Sequence, residues 1–182
     1  DLFIYNGAGM ESFVDKTLAA ISNEDLVVVE GAENVSLIQT ECEEEHEEES
    51  EEHEHGEHDP HTWLSVKNAI LEAENIKDAL VEFDQENANY YEANFEQYKK
   101  ELEALDARYE TELAGLSKNT IVVAHQAFGY LCQEYGLQQE AVEGLTAESE
   151  PDAARMKEII EFCKEKEIKV IFFEELVSPK VA

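Results

Sequence analysis

Positively charged residues are scarce in this chain, which has 13 Lys and Arg against 44 Asp and Glu among 182 residues and a formal net charge of −31. A surface this acidic repels nucleic acid and anionic lipid, and it attracts cations. Long apolar runs are also lacking. The sequence has no stretch of about 18 apolar residues, which is the length that a helix needs to span a bilayer. The composition therefore argues against nucleic-acid binding and a helical membrane span, and it favours a cationic ligand.

Cysteine is equally sparse, with Cys42, Cys132 and Cys163 as the three examples. They are too few for a disulfide framework and lack the close spacing of a Cys-rich zinc site. Cys132 and Cys163 lie on predicted helices, where buried thiols and a disulfide between them both remain open. The first residues, "DLFIYNGAGM", do not have the pattern of a signal peptide and are typical of the inside of a folded domain. We therefore expect a processed chain or a fragment.

The first part of the chain has the pattern of a parallel α/β unit. "LFIY" predicts a strand that ends at an Asn-Gly turn, and "MESFVDKTLAAI" has apolar residues at helical spacing. "LVVVEGA" then predicts a second, buried strand rich in valine. Strand, helix and strand in this order indicate parallel pairing.

The end of the chain repeats this pattern. "TIVVA" predicts a strand, and "AFGYLCQEYG" predicts a helix that Gly136 ends. "QEAVEGL" can form a strand, "EPDAARMKEIIEFCKEKE" predicts a helix with Pro151 near its start, and "VIFFEE" predicts a last buried strand. The closing "SPKVA" resembles the start of a further helix.

Two helices are predicted between these parts, over Leu64–Phe83 and over residues 87–116. The apolar stripe of the second helix comprises Tyr91, Phe95, Tyr98, Leu102, Leu105, Tyr109 and Leu113. We therefore predict an α/β fold of two incomplete lobes, at residues 1–84 and 117–182, joined by a single long helix over 85–116.

A tract rich in Glu and His interrupts the first lobe. Between Glu41 and Asp59 there are twelve Glu or Asp and four His, with no Lys or Arg. The tract has no apolar periodicity, so we predict a disordered insert over residues 41–58. Its histidines could bind cations weakly, or the insert could be charged only to stay solvated. These histidines are His46, His53, His55 and His58.

The two remaining histidines stand at the boundaries of predicted elements. His61 follows Asp59-Pro60 at a helix start, where Asp59 can accept hydrogen bonds from backbone N–H groups. His125 ends a strand, and ligands in open α/β sheets gather at the carboxyl ends of strands. Each is a candidate zinc ligand through a neutral imidazole nitrogen. The alternatives are a helix-cap histidine in contact with solvent for His61 and a core histidine with backbone partners for His125.

Five segments together resemble the zinc-type metal-binding solute-binding proteins of bacterial ABC importers: "NGAGMESF", "HDPHTWLSVKNA", "VVAHQAFGYLCQEYGL", "ESEPDAARMKEIIEFCKEKEIKVIFFE" and "SPKVA". The resemblance implies two α/β lobes, a rigid linking helix and a metal cleft between the lobes. It implies that His61 and His125 ligate the metal. It also implies Zn²⁺ rather than Mn²⁺, because manganese members usually carry a carboxylate where His125 stands. Many zinc-type members have a His-rich acidic loop where the Glu/His tract lies.

The resemblance places two further ligands outside these residues, a His before Asp1 and a carboxylate after Ala182. Glu174 and Glu175 end the last predicted strand and could substitute, although the family does not use the matching positions as its usual ligands. The resemblance further implies a non-enzymatic, monomeric protein that delivers Zn²⁺ to an ABC permease. It would be periplasmic or lipid-anchored at the outer face of the membrane.

Two other functions stay open at this stage. A zinc hydrolase would share the metal chemistry, but no H-E-x-x-H motif, nucleophile elbow or phosphate loop is present in the sequence. A metal-buffering or adhesin-like surface lipoprotein would act through the Glu/His tract alone.

Overall fold

A computed structural model describes residues 1–40, 58–145 and 153–173. By their contacts these residues form two compact units, Asp1–Arg108 and Tyr109–Ala182. Each unit contains its own parallel sheet, as the α/β pattern predicts. In the part of the chain that is described, no helix is both long enough and apolar enough to cross a membrane.

The first unit opens with the predicted strand–helix–strand motif. Strand β1 (Leu2–Tyr5) pairs in parallel with β2 (Val27–Glu30), and helix α1 (Val14–Ala20) connects them. The prediction of a helix from Met10 is wrong by four residues. The backbone of residues 7–9 has positive φ at each position, and the N–H of Met10 closes a turn onto the carbonyl of Gly7. The helix therefore begins only after this turn.

The prediction that β2 is buried is also wrong within the described residues. Val27 and Val28 are 41% and 42% exposed, respectively. The physical reason is that β2 pairs only with β1 in the described sheet, so neither face of this two-stranded pair is fully covered. The valines reflect strand propensity here rather than burial.

Two long helices follow in the chain. A 3₁₀ turn over Thr62–Leu64 precedes α2 (Val66–Phe83). A second 3₁₀ turn over Gln85–Asn87 precedes α3 (Ala88–Leu113), within which the boundary between the two units falls. Phe95 is the buried residue of the α3 stripe, and the ammonium groups of Lys77 and Lys99 lie 5.3 and 5.8 Å from its ring centre.

The second unit has a three-stranded parallel sheet with the order β4-β3-β5. Its elements are β3 (Thr120–His125), α4 (Gly129–Tyr135), β4 (Gln138–Glu143), α5 (Ala153–Glu165) and β5 (Ile171–Phe172). Gly136 ends α4 with a φ of 69°, as predicted. The core forms where Val122 of β3, Val142 of β4 and Ile159 of α5 meet.

The last strand is less buried than its apolar sequence predicts. Phe172 and Phe173 are 51% and 50% exposed, respectively, because β5 lies at the edge of the described sheet. Both described cysteines are free thiols, which answers the question of a disulfide between them. Burial raises the pKa of the Cys132 thiol to about 11, so this sulfur stays protonated at neutral pH when no metal is bound.

Candidate metal centre

His61 lies in a tight turn formed by residues 59–64, here called the imidazole turn. The turn begins where the N–H of Asp59 donates to the carbonyl of Ile38 at 2.9 Å. One oxygen of Asp59, Oδ1, then accepts from the backbone N–H of His61 at 2.9 Å and lies 2.8 Å from its ring Nδ1. Both side chains are buried, with 3% of Asp59 and 6% of His61 exposed. Asp59 therefore fixes both the backbone and the ring of His61, beyond the backbone role that the sequence predicts.

The contact between Asp59 and His61 also determines the tautomer of the imidazole. A carboxylate oxygen can only accept a hydrogen bond, so the proton of a neutral ring must be on Nδ1. The lone pair is then on Nε2, so Nε2 is the ring nitrogen that could ligate a metal ion. A carboxylate behind the ring of a metal-binding histidine is a common arrangement, because it fixes the ring and raises the basicity of the ligand.

Contacts from two other parts of the first unit hold the imidazole turn. The hydroxyl of Ser65 caps α2 by accepting from the N–H of Asn68 at 3.2 Å. The side-chain amide of Asn68 donates to the carbonyl of Thr62 at 3.1 Å. The amide of Asn6, at the end of β1, donates to the carbonyl of Pro60 at 3.3 Å. The turn is thus tied to the start of α2 and to the first strand.

The imidazole of His61 also packs against an aromatic ring. The centres of the His61 and Trp63 rings are 5.6 Å apart, with an angle of 56° between the ring planes. Trp63 is 37% exposed, so its indole shields one side of the imidazole while it stays in contact with solvent.

His125 is positioned by the backbone of a sheet. It is the last residue of β3, the central strand, and pairs in register with Glu143 of β4. Beyond it, the N–H of Gln126 donates to the carbonyl of Gly144 at 3.0 Å, and the N–H of Ala127 donates to the carbonyl of His125 at 2.8 Å. His125 is half-buried and lies at the carboxyl end of the strand, as the sequence predicts.

The remaining predicted metal-binding residues are only partly described. His58 forms an isolated antiparallel bridge with Gln39, and its Nδ1 is buried without a hydrogen-bond partner among the described residues. Four further residues lie outside the described ranges, namely His46, His53, His55 and Glu174. Glu175 also lies outside these ranges.

Within residues 1–40, 58–145 and 153–173, no three His, Cys, Asp or Glu side chains form a group that could hold a metal ion. His61 and His125 are each described inside their own unit. Asp59 lies beside His61, but its Oδ1 already accepts two bonds from that residue.

A buried carboxylate on α2 was missed by the sequence analysis. Glu72 is only 8% exposed, and its Oε1 has no hydrogen-bond partner among the described residues. Burial raises the pKa of Glu72 above its usual value, and the nearby Thr62 hydroxyl lowers it in part. That hydroxyl is itself buried and does not reach hydrogen-bond geometry. Periodicity gives no sign of this burial, because a Glu beside an apolar stripe is ordinarily solvated.

The sequence of this chain matches a known protein family. Residues 1–182 match the model of the family described as ZnuA, the periplasmic component A of the zinc-uptake complex. The chain belongs to the ZnuA family. It is 42% identical over 184 residues to the high-affinity zinc uptake system protein ZnuA of Bacillus subtilis, and the match covers all of this chain and 57% of that protein. The chain thus spans somewhat more than half the length of this relative.

Solved structures of ZnuA-like proteins have the same fold. The Zn(II)-bound ZnuA-like domain of Streptococcus pneumoniae AdcA is 32% identical with a TM-score of 0.77, and the match covers all of this chain and 62% of that one. The laminin-binding protein Lmb of Streptococcus agalactiae, titled a bifunctional protein with adhesin and metal-transporting activity, is 30% identical with a TM-score of 0.82 over 100% and 63% of the two chains. These neighbours confirm the predicted α/β solute-binding fold.

Proposed function

We propose that this chain is part of an extracytoplasmic solute-binding protein that captures Zn²⁺ as cargo and delivers it to the membrane permease of an ABC importer. The observation that carries the proposal is the Asp59–His61 pair, in which a buried carboxylate holds the imidazole as the tautomer that has its lone pair on Nε2. Membership of the ZnuA family supports zinc as the cargo. The permease, the monomeric state and the place outside the cytoplasm belong to the same proposal.

His61 and His125 are the proposed ligands within this chain. Neutral imidazole nitrogens suit Zn²⁺, which binds them at about 2.0–2.1 Å. Mn²⁺ prefers oxygen ligands, so two imidazoles favour zinc. Since protons compete with the metal for imidazole nitrogens, we expect capture to weaken as the pH falls through the range in which histidine titrates.

The test is calorimetric titration of the complete protein that contains this chain with Zn²⁺, using His61→Ala, His125→Ala and, as a matched control, His58→Ala. We expect each of the first two variants to weaken the tight zinc equivalent by more than about 100-fold, beyond the effect of losing a residue that only supports a ligand. His58→Ala should leave that equivalent within about threefold of the unchanged protein. Unchanged tight binding in His61→Ala and His125→Ala would refute the assignment.

Adhesion is a second candidate function, which the resemblance to Lmb favours. It predicts binding to immobilised laminin, and a His61→Ala/His125→Ala double variant separates the two functions. Adhesion independent of metal capture would survive this double change, whereas zinc transport would be lost. Deletion of residues 41–58 tests metal buffering, because a buffer that acts through the tract would lose nearly all its zinc and a transport protein would retain one tight equivalent.

A further inference from the structure

The side chain of Asn6 joins the end of β1 to the imidazole turn. Its Nδ2 donates to the carbonyl of Gly7 at 3.1 Å and to the carbonyl of Pro60, 54 positions away in the chain, at 3.3 Å. Carbonyl oxygens only accept, so the orientation of the amide follows from its partners. The Pro60 carbonyl also accepts from the N–H of Thr62 at 2.9 Å, inside the imidazole turn. Asn6 thus contacts the peptide group that directly precedes His61.

The backbone of Asn6 is fixed independently of this contact. Its N–H donates to Oε1 of Glu11 at 2.7 Å, and the N–H of Gly7 donates to Oε2 of the same carboxylate at 3.1 Å. Its carbonyl accepts from the N–H of Ala32, just after β2, at 2.8 Å. Bonds to an ionised carboxylate are among the stronger hydrogen bonds in proteins, so the Asn6 amide extends from a firmly held base.

The turn that follows Asn6 is strained and held in place by a second carboxylate. Gly7, Ala8 and Gly9 have φ angles of 88°, 53° and 82°. A positive φ is uncommon for a residue that has a Cβ, such as Ala8. The N–H of Ala8 donates to Oε1 of Glu30 at 3.2 Å. Backbone strain of this kind persists only where surrounding contacts determine it, and it is concentrated near functional sites.

From these contacts we propose that Asn6 is a positioning residue for His61. Through the Pro60 carbonyl it fixes the imidazole turn relative to β1 and β2, so that Nε2 of His61 is already oriented before zinc arrives. A ligand held in its binding geometry loses less entropy on binding. This inference rests on the zinc-binding function proposed above.

The chain offers a matched control for this proposal. The amide of Asn75 on α2 also donates to two carbonyls, those of Gly31 and Glu33, at 2.8 and 2.9 Å. It ties α2 to the segment after β2 but makes no bond to the imidazole turn among these contacts. Asn6→Ala and Asn75→Ala each remove an amide that joins two carbonyls in the same unit. A merely structural role would give the two variants similar properties.

The experiment measures two properties of the complete protein that contains this chain. Zinc affinity is measured by competition with a chelator, and the ring-nitrogen NMR signals of His61 are recorded in the metal-free protein. Thermal unfolding verifies that each variant is folded at the working temperature. We expect Asn6→Ala to weaken zinc binding about tenfold, in the range typical of residues that support a ligand, and to shift the His61 signals. Asn75→Ala should keep zinc affinity within about twofold and leave those signals in place.

The inference is wrong if Asn6→Ala also stays within twofold of the unchanged protein, or if Asn75→Ala changes affinity and signals equally. Where Asn6→Ala does not fold, Asn6→Ser replaces it, since serine keeps a polar side chain but lacks the amide that donates to the Pro60 carbonyl. His61→Ala separates the two proposals. If it leaves tight zinc binding intact, the proposed function fails. If it abolishes tight binding while the Asn6 variants do not weaken it, only the role of Asn6 fails.

Discussion

The two candidate ligands are held in different ways in the two units. His61 depends on side chains that include Asp59, whose carboxylate contacts both the backbone and the ring. His125 depends on the backbone of a parallel sheet, where β3 is central and the residue after it bonds to Gly144. The comparison teaches that a turn must obtain its rigidity from individual side chains, whereas a central strand obtains it from hydrogen bonds that any sequence can make. Single substitutions should therefore lower stability or zinc affinity more in the first unit than in the second.

The largest expected effect is a loss of stability in Gly7→Ala, which is compared below with the same change at a glycine of the second unit. In Gly7→Ala the new Cβ would lie 2.1 Å from Oε1 and 2.3 Å from Cγ of Glu30, at a φ of 88°. Glu30 would have to move and give up its bond to the N–H of Ala8. We expect the free energy of unfolding to fall by about 3 kcal/mol, from left-handed strain and a lost charge-assisted bond together.

Gly136→Ala is the matched change in the second unit. Gly136 also has a positive φ, 69°, but no atom lies within 4 Å of a Cβ built there. Only the conformational cost of about 1 kcal/mol should remain. Urea unfolding of both variants measures the difference, and equal losses of stability would show that the contact with Glu30 has no energetic weight.

The next effect concerns one carboxylate beside each of the two histidines. Asp59→Asn keeps the shape of the side chain but removes the charge behind the ring of His61. Loss of such a partner typically weakens metal binding 10–100-fold, and we expect about tenfold here in a calorimetric zinc titration. Glu143→Gln is the control, because Glu143 lies beside His125 in the strand register while the sheet backbone holds that histidine. We expect it to change affinity less than threefold, and a larger loss in Glu143→Gln than in Asp59→Asn would reverse the comparison.

The fold could be predicted from sequence where one local signal decides the structure. Valine-rich runs and helical spacing predict β3, α2 and α3, and Gly136 predicts the end of α4. The position of His61 after Asp59-Pro60 predicts a held imidazole, since a short polar side chain can reach the backbone two residues on.

Contacts between distant segments could not be predicted in this way. The bond from Asn6 to Pro60 spans 54 positions, and no periodicity encodes it. The late start of α1 follows from carboxylates of Glu11 and Glu30 that bind a strained turn. Exposure of Val28 and Phe172 depends on what covers each strand, which the composition of the strand does not determine.

The smallest expected effect has the opposite sign and lies at Glu72. Its carboxylate is 8% exposed, and burial raises its pKa above the usual 4.5. Between the usual pKa of a glutamic acid and the raised pKa of Glu72, the folded state binds more protons than the unfolded state. The free energy of unfolding therefore falls as the pH rises through this interval. Above this interval Glu72 is ionised in both states, and its buried charge lowers the free energy of unfolding by the full amount. Glu72→Gln removes the charge and should raise the free energy of unfolding at neutral pH by roughly 1 kcal/mol.

The pH dependence distinguishes this cause from better packing of the amide. Below the usual pKa of a glutamic acid the carboxyl is neutral in both states, so the advantage of Glu72→Gln should shrink toward zero at about pH 4. Glu82→Gln is the control on the same helix, because Glu82 is exposed and its removal should change stability by less than about 0.5 kcal/mol. A gain in Glu72→Gln that is equal at pH 4 and pH 7 would mean that packing, and not the buried charge, limits the stability of the helix next to the imidazole turn.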